Sequence, residues 1–86
     1  MAKSSLGIRY ANKFIQESKK LGYRIKGPVF KAGFNGNSWN VEFWIRSVGV
    51  NLPGRIGKAR KEDFDEAVLA AISAAKKCEE VNRGIL

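Results

Sequence analysis

The first repeating pattern of hydrophobic positions lies in residues 6–21, where apolar side chains recur at helical spacing. On a helical wheel one side is formed by Ile8, Ala11, Phe14, Ile15 and Leu21, with Tyr10 at its margin. Ser5 is a favourable N-cap residue, and Gly22 is a common residue just after a helix. The pattern predicts an amphipathic helix over residues 6–21 that buries this side.

The middle of the chain has the pattern of a short antiparallel sheet. Asn35-Gly36 favours a tight turn, so a hairpin is predicted there, with its first strand within residues 23–34. The next strand, residues 39–46, alternates and would place these side chains in the core: Trp39, Val41, Phe43 and Ile45. A short third strand is predicted around residues 50–52, before the turn at Pro53-Gly54.

A second helix is predicted after the basic run of residues 55–61. Asp63 and Glu66 have the spacing of a capping box, and Gly84 is predicted to end the helix. Its apolar stripe consists of Phe64, Ala67, Val68, Ala71, Ile72, Ala75 and Cys78. The predicted fold class is therefore α+β, with a helix, a three-stranded antiparallel sheet and a C-terminal helix in one domain over residues 1–86.

Composition narrows the class of protein. With 86 residues, 44% hydrophobic and 28% charged, the chain can form one compact core. It has no run of about 18 apolar residues, so neither export nor membrane spanning is expected, and an intracellular, cytoplasmic location fits best. One cysteine and no histidine leave no internal disulfide and no metal site. Cys78 is most simply a core residue, with a reactive thiol as the alternative.

The chain is strongly basic, with 16 Lys and Arg against 8 Asp and Glu and a net charge of +8. The excess is uneven: residues 1–27 hold seven basic and one acidic side chain, residues 28–61 six and one, and residues 62–86 three and six. One surface is therefore expected to be positive and to bind an anionic partner, with nucleic acid the first choice.

Catalysis is not expected. Histidine, the commonest general acid or base, is absent, and six of the eight acids lie in residues 62–86. Helix capping explains the first four of these acids. A solvated C-terminal face explains Glu79 and Glu80. No phosphate-binding loop motif occurs, and no cofactor is predicted.

Three features are candidates for binding nucleic acid. The first is the polar face of the first helix: Arg9, Asn12, Lys13, Gln16 and Lys20. An ordinary solvated helix face is an equal alternative, whereas a membrane contact is not expected because the apolar side is needed to cover the sheet. The second feature is Trp44, which points away from the core beside Arg46 and could stack on a base or sugar. The alternative is that the first helix or residues 23–34 cover it. The third is the basic run that contains Lys58, Arg60 and Lys61.

The element order, with Gly-Arg-Ile-Gly-Lys-Ala-Arg-Lys leading into the alanine-rich residues 66–77, resembles the double-stranded-RNA-binding domain. In that family the first helix and a loop enter successive minor grooves, and basic residues that start the second helix clamp phosphates. The resemblance implies two contact groups: Asn12, Lys13 and Gln16, and then Lys58, Arg60 and Lys61. The acidic segment Glu62-Asp63-Phe64-Asp65 stands where that family has further lysines.

Residues 23–78 are also similar to the ethylene-response type of DNA-binding domain and to integrase arm-binding domains. The similarity rests on three strands followed by Phe64-Asp65-Glu66-Ala67 and a helix of small residues. Those domains lay the sheet in the major groove, which implies contacts by Trp44, Arg46 and Arg24.

The expected function is therefore non-enzymatic binding of double-stranded nucleic acid through its backbone, with DNA slightly favoured over RNA. A small adaptor or inhibitor that docks on an acidic protein surface through Trp44 is the alternative from another class.

Overall fold

A computed structural model describes residues 5–49 and 52–85, except for the side chains of Ser5 and residues 83–85. The elements in chain order are α1 (Ser5–Lys20), β1 (Phe30–Phe34), β2 (Trp39–Ile45), β3 (Arg55–Lys61) and α2 (Phe64–Ile85). The strands form one antiparallel sheet in the order β1-β2-β3. The α+β class and the order of helix, three strands and helix are confirmed. None of the helices in these two ranges has both the length and the apolar character needed to cross a membrane.

The third strand is not where the sequence pattern placed it. It is β3, whereas Leu52 forms only an isolated bridge with Gly49, and the rest of the predicted strand lies outside the described residues. The basic run lacks the hydrophobic alternation of a strand, because its core-facing positions include Arg55 and Gly57 in place of large apolar residues. Pairing with β2, from Ile45 opposite Arg55 to Trp39 opposite Lys61, nevertheless makes it a full strand.

The hairpin between β1 and β2 is confirmed at Asn35-Gly36. The Asn35 amide donates to the Ser38 carbonyl at 3.1 Å, and the Asn35 side-chain oxygen accepts from the amides of Asn37 and Ser38 at 2.9 and 2.8 Å. Gly36 has a φ of 99°, a conformation that favours glycine. This local chemistry sets the register in which Phe34 lies opposite Trp39.

Both helices lie on one face of the sheet. Phe14 of α1 meets Phe43 of β2 edge to face, with ring centroids 5.1 Å apart. Helix α2 passes so close to β3 that a Cβ on Gly57 would overlap backbone atoms of Ala71 and Ala75. The core consists of Ala11, Phe14, Tyr23, Val29, Val41, Phe43, Ile45, Ala67, Val68, Ala71 and Ala75. The helical layer therefore leaves the other face of the sheet uncovered.

The two helices differ in detail from their predicted patterns. The predicted core residue Ile8 of α1 is 43% exposed and Leu21, which follows the helix, is 51% exposed, while Ser18 is fully buried. Ser18 is tolerated there because its hydroxyl donates to the Phe14 carbonyl at 2.9 Å. In α2 the cap is confirmed, since Asp63 Oδ2 accepts from the Glu66 amide at 3.0 Å, but the helix continues through Gly84.

A polar cluster lies inside the core and joins three elements. Arg55 is 4% exposed and Glu79 is 8% exposed, which corrects the expectation that Glu79 lies on a solvated face. Arg55 Nη2 donates to Glu79 Oε1 at 3.1 Å, its Nε lies 3.1 Å from Glu79 Oε2, and its Nη1 donates to Ser18 Oγ at 2.9 Å. The Tyr23 hydroxyl lies 2.8 Å from Glu79 Oε2 and also contacts the Pro53 carbonyl. Arg55 is thus a structural cation that does not reach an external anion.

Candidate nucleic-acid interface

The uncovered face of the sheet, called here the open face, carries most of the charged side chains of the strands. Strand alternation and register place on it Lys31, Gly33, Asn40, Glu42, Trp44, Ile56, Lys58 and Arg60. Arg46 follows β2 and is also exposed. Four cations therefore stand against one carboxylate on this surface, and their exposure leaves them accessible to an anionic partner.

Trp44 is half-buried near one end of the open face, where it lies opposite Ile56. Its Nε1 donates to Glu42 Oε1 at 2.7 Å, and Lys58 Nζ lies 4.9 Å from the ring centroid. The orientation away from the core is confirmed, and the alternative that α1 covers Trp44 is wrong because α1 lies on the other face of the sheet. The segment before β1 lies beside Trp44: the Trp44 amide donates to the Val29 carbonyl at 2.8 Å, and residues of this segment line the same groove as Trp44.

A second ordered pair lies on the same face. Arg60 Nε donates to Asn40 Oδ1 at 2.8 Å, which joins neighbouring residues of β3 and β2. The terminal nitrogens of the guanidinium and the Asn40 amide nitrogen remain available as donors. The hydrogen bond to Asn40 therefore fixes the orientation of the Arg60 guanidinium although the side chain is exposed.

One end of the open face forms a groove lined by Arg24, Lys26, Trp44 and Arg46. The structure thus brings together the three residues that the DNA-binding resemblance implied, and adds Lys26. Sequence reasoning also missed Lys31, which lies opposite Glu42 in the sheet. Neither lysine belongs to a local motif: Lys31 is placed by the strand register, and Lys26 by the packing of the segment before β1 beside the end of β2.

The residues predicted on the first helix form a separate surface. Arg9, Asn12, Lys13, Gln16 and Lys20 are all exposed on α1, in the helical layer. Four of them, all except Arg9, line one shallow groove that also contains Glu17. The open face and this helix surface therefore do not form one continuous site.

The cations of the basic run before α2 point to different faces of the sheet, because the run forms β3. Lys58 and Arg60 point to the open face, whereas Lys61 lies opposite Trp39 and on the side of the helices. The RNA-binding resemblance groups all three with α1. In the fold, two of the three belong with Trp44 instead, because successive residues of a strand point to opposite faces.

The described residues 5–49 and 52–85 contain no group of three His, Cys, Asp or Glu side chains arranged to hold a metal ion. Comparison with protein-family models finds no match, and neither curated proteins nor solved structures give a significant match. The local geometry is therefore the basis for assigning a function.

Proposed function

We propose that this domain binds double-stranded nucleic acid through the open face, with DNA favoured over RNA. The observation that carries the proposal is that this face presents a half-buried Trp44 among exposed cations, while both helices occupy the opposite face. Exposed Lys and Arg neutralise phosphates, and the release of condensed counterions supplies most of the affinity. The tryptophan adds an aromatic surface for contact with a sugar or a base.

The dimensions of the sheet favour DNA. Three strands spaced about 4.8 Å apart have a backbone width of about 10 Å. The major groove of B-form DNA is about 12 Å wide and admits an α-helix or a two-stranded β-ribbon, so the side chains of a sheet face of this width can reach into it. The corresponding groove of duplex RNA is deep and narrow, which hinders entry of a sheet. The open face therefore fits a DNA duplex better than an RNA duplex.

A second candidate is binding of duplex RNA through α1. The observation that favours it is the exposed row of Asn12, Lys13, Gln16 and Lys20 along one groove. Amides of this kind can contact 2′-hydroxyls while the lysines contact phosphates across the shallow minor groove. The two candidates use separate surfaces, so charge-matched variants separate them.

The test uses two triple variants of the full chain. The sheet variant combines Lys31→Gln, Lys58→Gln and Arg60→Gln, and the helix variant combines Arg9→Gln, Lys13→Gln and Lys20→Gln. Each removes three positive charges, so the net charge of the two proteins is equal. Fluorescence anisotropy with duplex DNA and duplex RNA of the same sequence, at a fixed salt concentration, reports the affinities.

We expect the sheet variant to bind duplex DNA at least about tenfold more weakly than the unmodified protein, since three phosphate contacts are lost. The helix variant should keep most of the affinity. Trp44→Ala and Arg46→Ala should each weaken binding as well. Equal losses in both triple variants would contradict a defined sheet surface, and a preference for RNA that only the helix variant loses would support the second candidate.

A further inference from the structure

Glu42 is the unusual residue of the open face, because it places a negative charge at the centre of a cationic surface. In the sheet register it lies between Lys31 of β1 and Lys58 of β3. It is the only acidic residue in the three described strands. A carboxylate that faces phosphates opposes binding through like-charge repulsion. Within the sheet it is stabilised by the lysines on either side and by the indole N–H of Trp44, and toward a DNA partner its carboxylate contributes favourably only where it faces a hydrogen-bond donor.

The carboxylate of Glu42 is also held in place. The indole Nε1 of Trp44 donates to Oε1 at 2.7 Å, and Lys58 lies over the same indole ring. A carboxylate accepts up to about four hydrogen bonds, so one indole donor leaves capacity for a further donor. Trp44 therefore acts as a positioning residue for Glu42.

The arrangement of charge across the sheet matches the cross-section of a DNA groove. Phosphates form the two walls of the major groove, and base edges form the floor between them. The outer strands carry the cations Lys31, Lys58 and Arg60, and the middle strand carries Asn40, Glu42 and Trp44. With the strands aligned along the groove, the lysines meet the walls and Glu42 meets the floor.

We infer that Glu42 is a specificity-determining residue that accepts a hydrogen bond from the N4 amino group of a cytosine in the major groove. This inference rests on the proposed binding of DNA through the open face. The floor of the major groove offers two amino donors, cytosine N4 and adenine N6. Adenine also presents the acceptor N7 beside its amino group, which repels a carboxylate, and cytosine presents no such acceptor. The domain therefore binds DNA with a preference for one C·G base pair beneath β2.

The test is selection from a pool of duplex DNA with a randomised central segment, followed by affinity measurements on the enriched duplex and its single-base-pair substitutions. We expect the unmodified protein to enrich a cytosine at one position and to lose about tenfold in affinity when that pair is replaced. Glu42→Gln should no longer select cytosine and should select adenine, because an amide pairs with adenine N6 and N7.

Two further variants separate base recognition from charge and from structure. Trp44→Phe keeps an aromatic ring but removes the N–H that holds Glu42, so the preference for cytosine should fall several-fold. Glu80→Gln removes one negative charge from an exposed position on α2, in the helical layer, and should leave the selected sequence unchanged.

The outcomes distinguish this inference from the proposed function. If Glu42→Gln binds every duplex more tightly and still selects the same base pair, Glu42 is only a repulsive charge and the inference is wrong. If the unmodified protein binds the pool but fixes no base pair, the inference is also wrong while DNA binding stands. A protein that does not bind the duplex pool at all would overturn both.

Discussion

Two glycines of the same sheet differ in what an added side chain would meet. A Cβ on Gly57 would overlap the backbone of α2 at Ala71 and Ala75, whereas a Cβ on Gly33 meets nothing within 4 Å. Gly57→Ala should therefore force α2 away from β3 and lower the free energy of unfolding by about 2 kcal/mol. For a domain of this size that corresponds to a fall in thermal midpoint of about 10 °C, measurable by circular dichroism.

Gly33→Ala is the matched control for this prediction. Gly33 lies on the open face and does not have a positive φ, so an alanine there is not strained. Its effect on the free energy of unfolding should stay within about 0.5 kcal/mol. Similar destabilisation by both substitutions would contradict the close contact between α2 and β3.

At the scale of elements, the ion pair between Arg55 and Glu79 links β3 to α2, and Ser18 brings in α1. Arg55→Met should destabilise the domain by about 3–5 kcal/mol, because it leaves the Glu79 carboxylate buried without its cation. The double variant with Glu79→Met should lose less than the sum of the two single variants. Urea denaturation of the four proteins of this cycle measures the coupling.

A surface pair provides the comparison for the buried one. Lys76 Nζ lies 3.9 Å from Glu17 Oε1, and both side chains are about half exposed. Lys76→Met should therefore change the free energy of unfolding by less than about 1 kcal/mol. A loss as large as that of Arg55→Met would mean that burial is not the reason for the importance of the Arg55–Glu79 pair.

At the scale of the whole molecule, the cations of the sheet are divided between an exposed set and a buried one. Lys31, Arg46, Lys58 and Arg60 are exposed on or beside the open face, whereas Arg55 is neutralised in the core. If these four cations contact phosphates, the logarithm of the affinity for duplex DNA should fall with the logarithm of salt concentration with a slope of about −4. Anisotropy titrations from low to moderate salt concentration measure this slope.

The triple variants serve as controls for the salt dependence. The sheet variant should reduce the slope by about 3, since it removes three of the four contacts. The helix variant should retain the slope of the unmodified protein. A nearly flat dependence in the unmodified protein would contradict binding through phosphates and would favour a different anionic partner, such as an acidic protein surface.

The features that the sequence predicted correctly depend on neighbouring residues. Apolar side chains recur at helical spacing in residues 6–21, Asn35-Gly36 favours a tight turn, and Asp63 caps the helix that follows it. The alternation in residues 39–46 placed Trp44 on the face opposite the core. Each of these properties follows from backbone geometry and hydrogen bonds within a few residues, so it can be recognised before any tertiary contact is known.

Other features were decided by contacts between distant segments. The strand Arg55–Lys61 has no hydrophobic alternation, because Gly57 accommodates a helix backbone and Arg55 is buried against Glu79. A buried arginine and an exposed one have the same hydropathy, so only the position of the partner carboxylate distinguishes them. Likewise, Glu42 lies between Lys31 and Lys58 only because three strands pair in this register. The sequence thus determined both helices, the hairpin and the sign of the charge. The tertiary structure decided the place of the third strand and which cations share a surface, because register and packing depend on residues far apart in the chain.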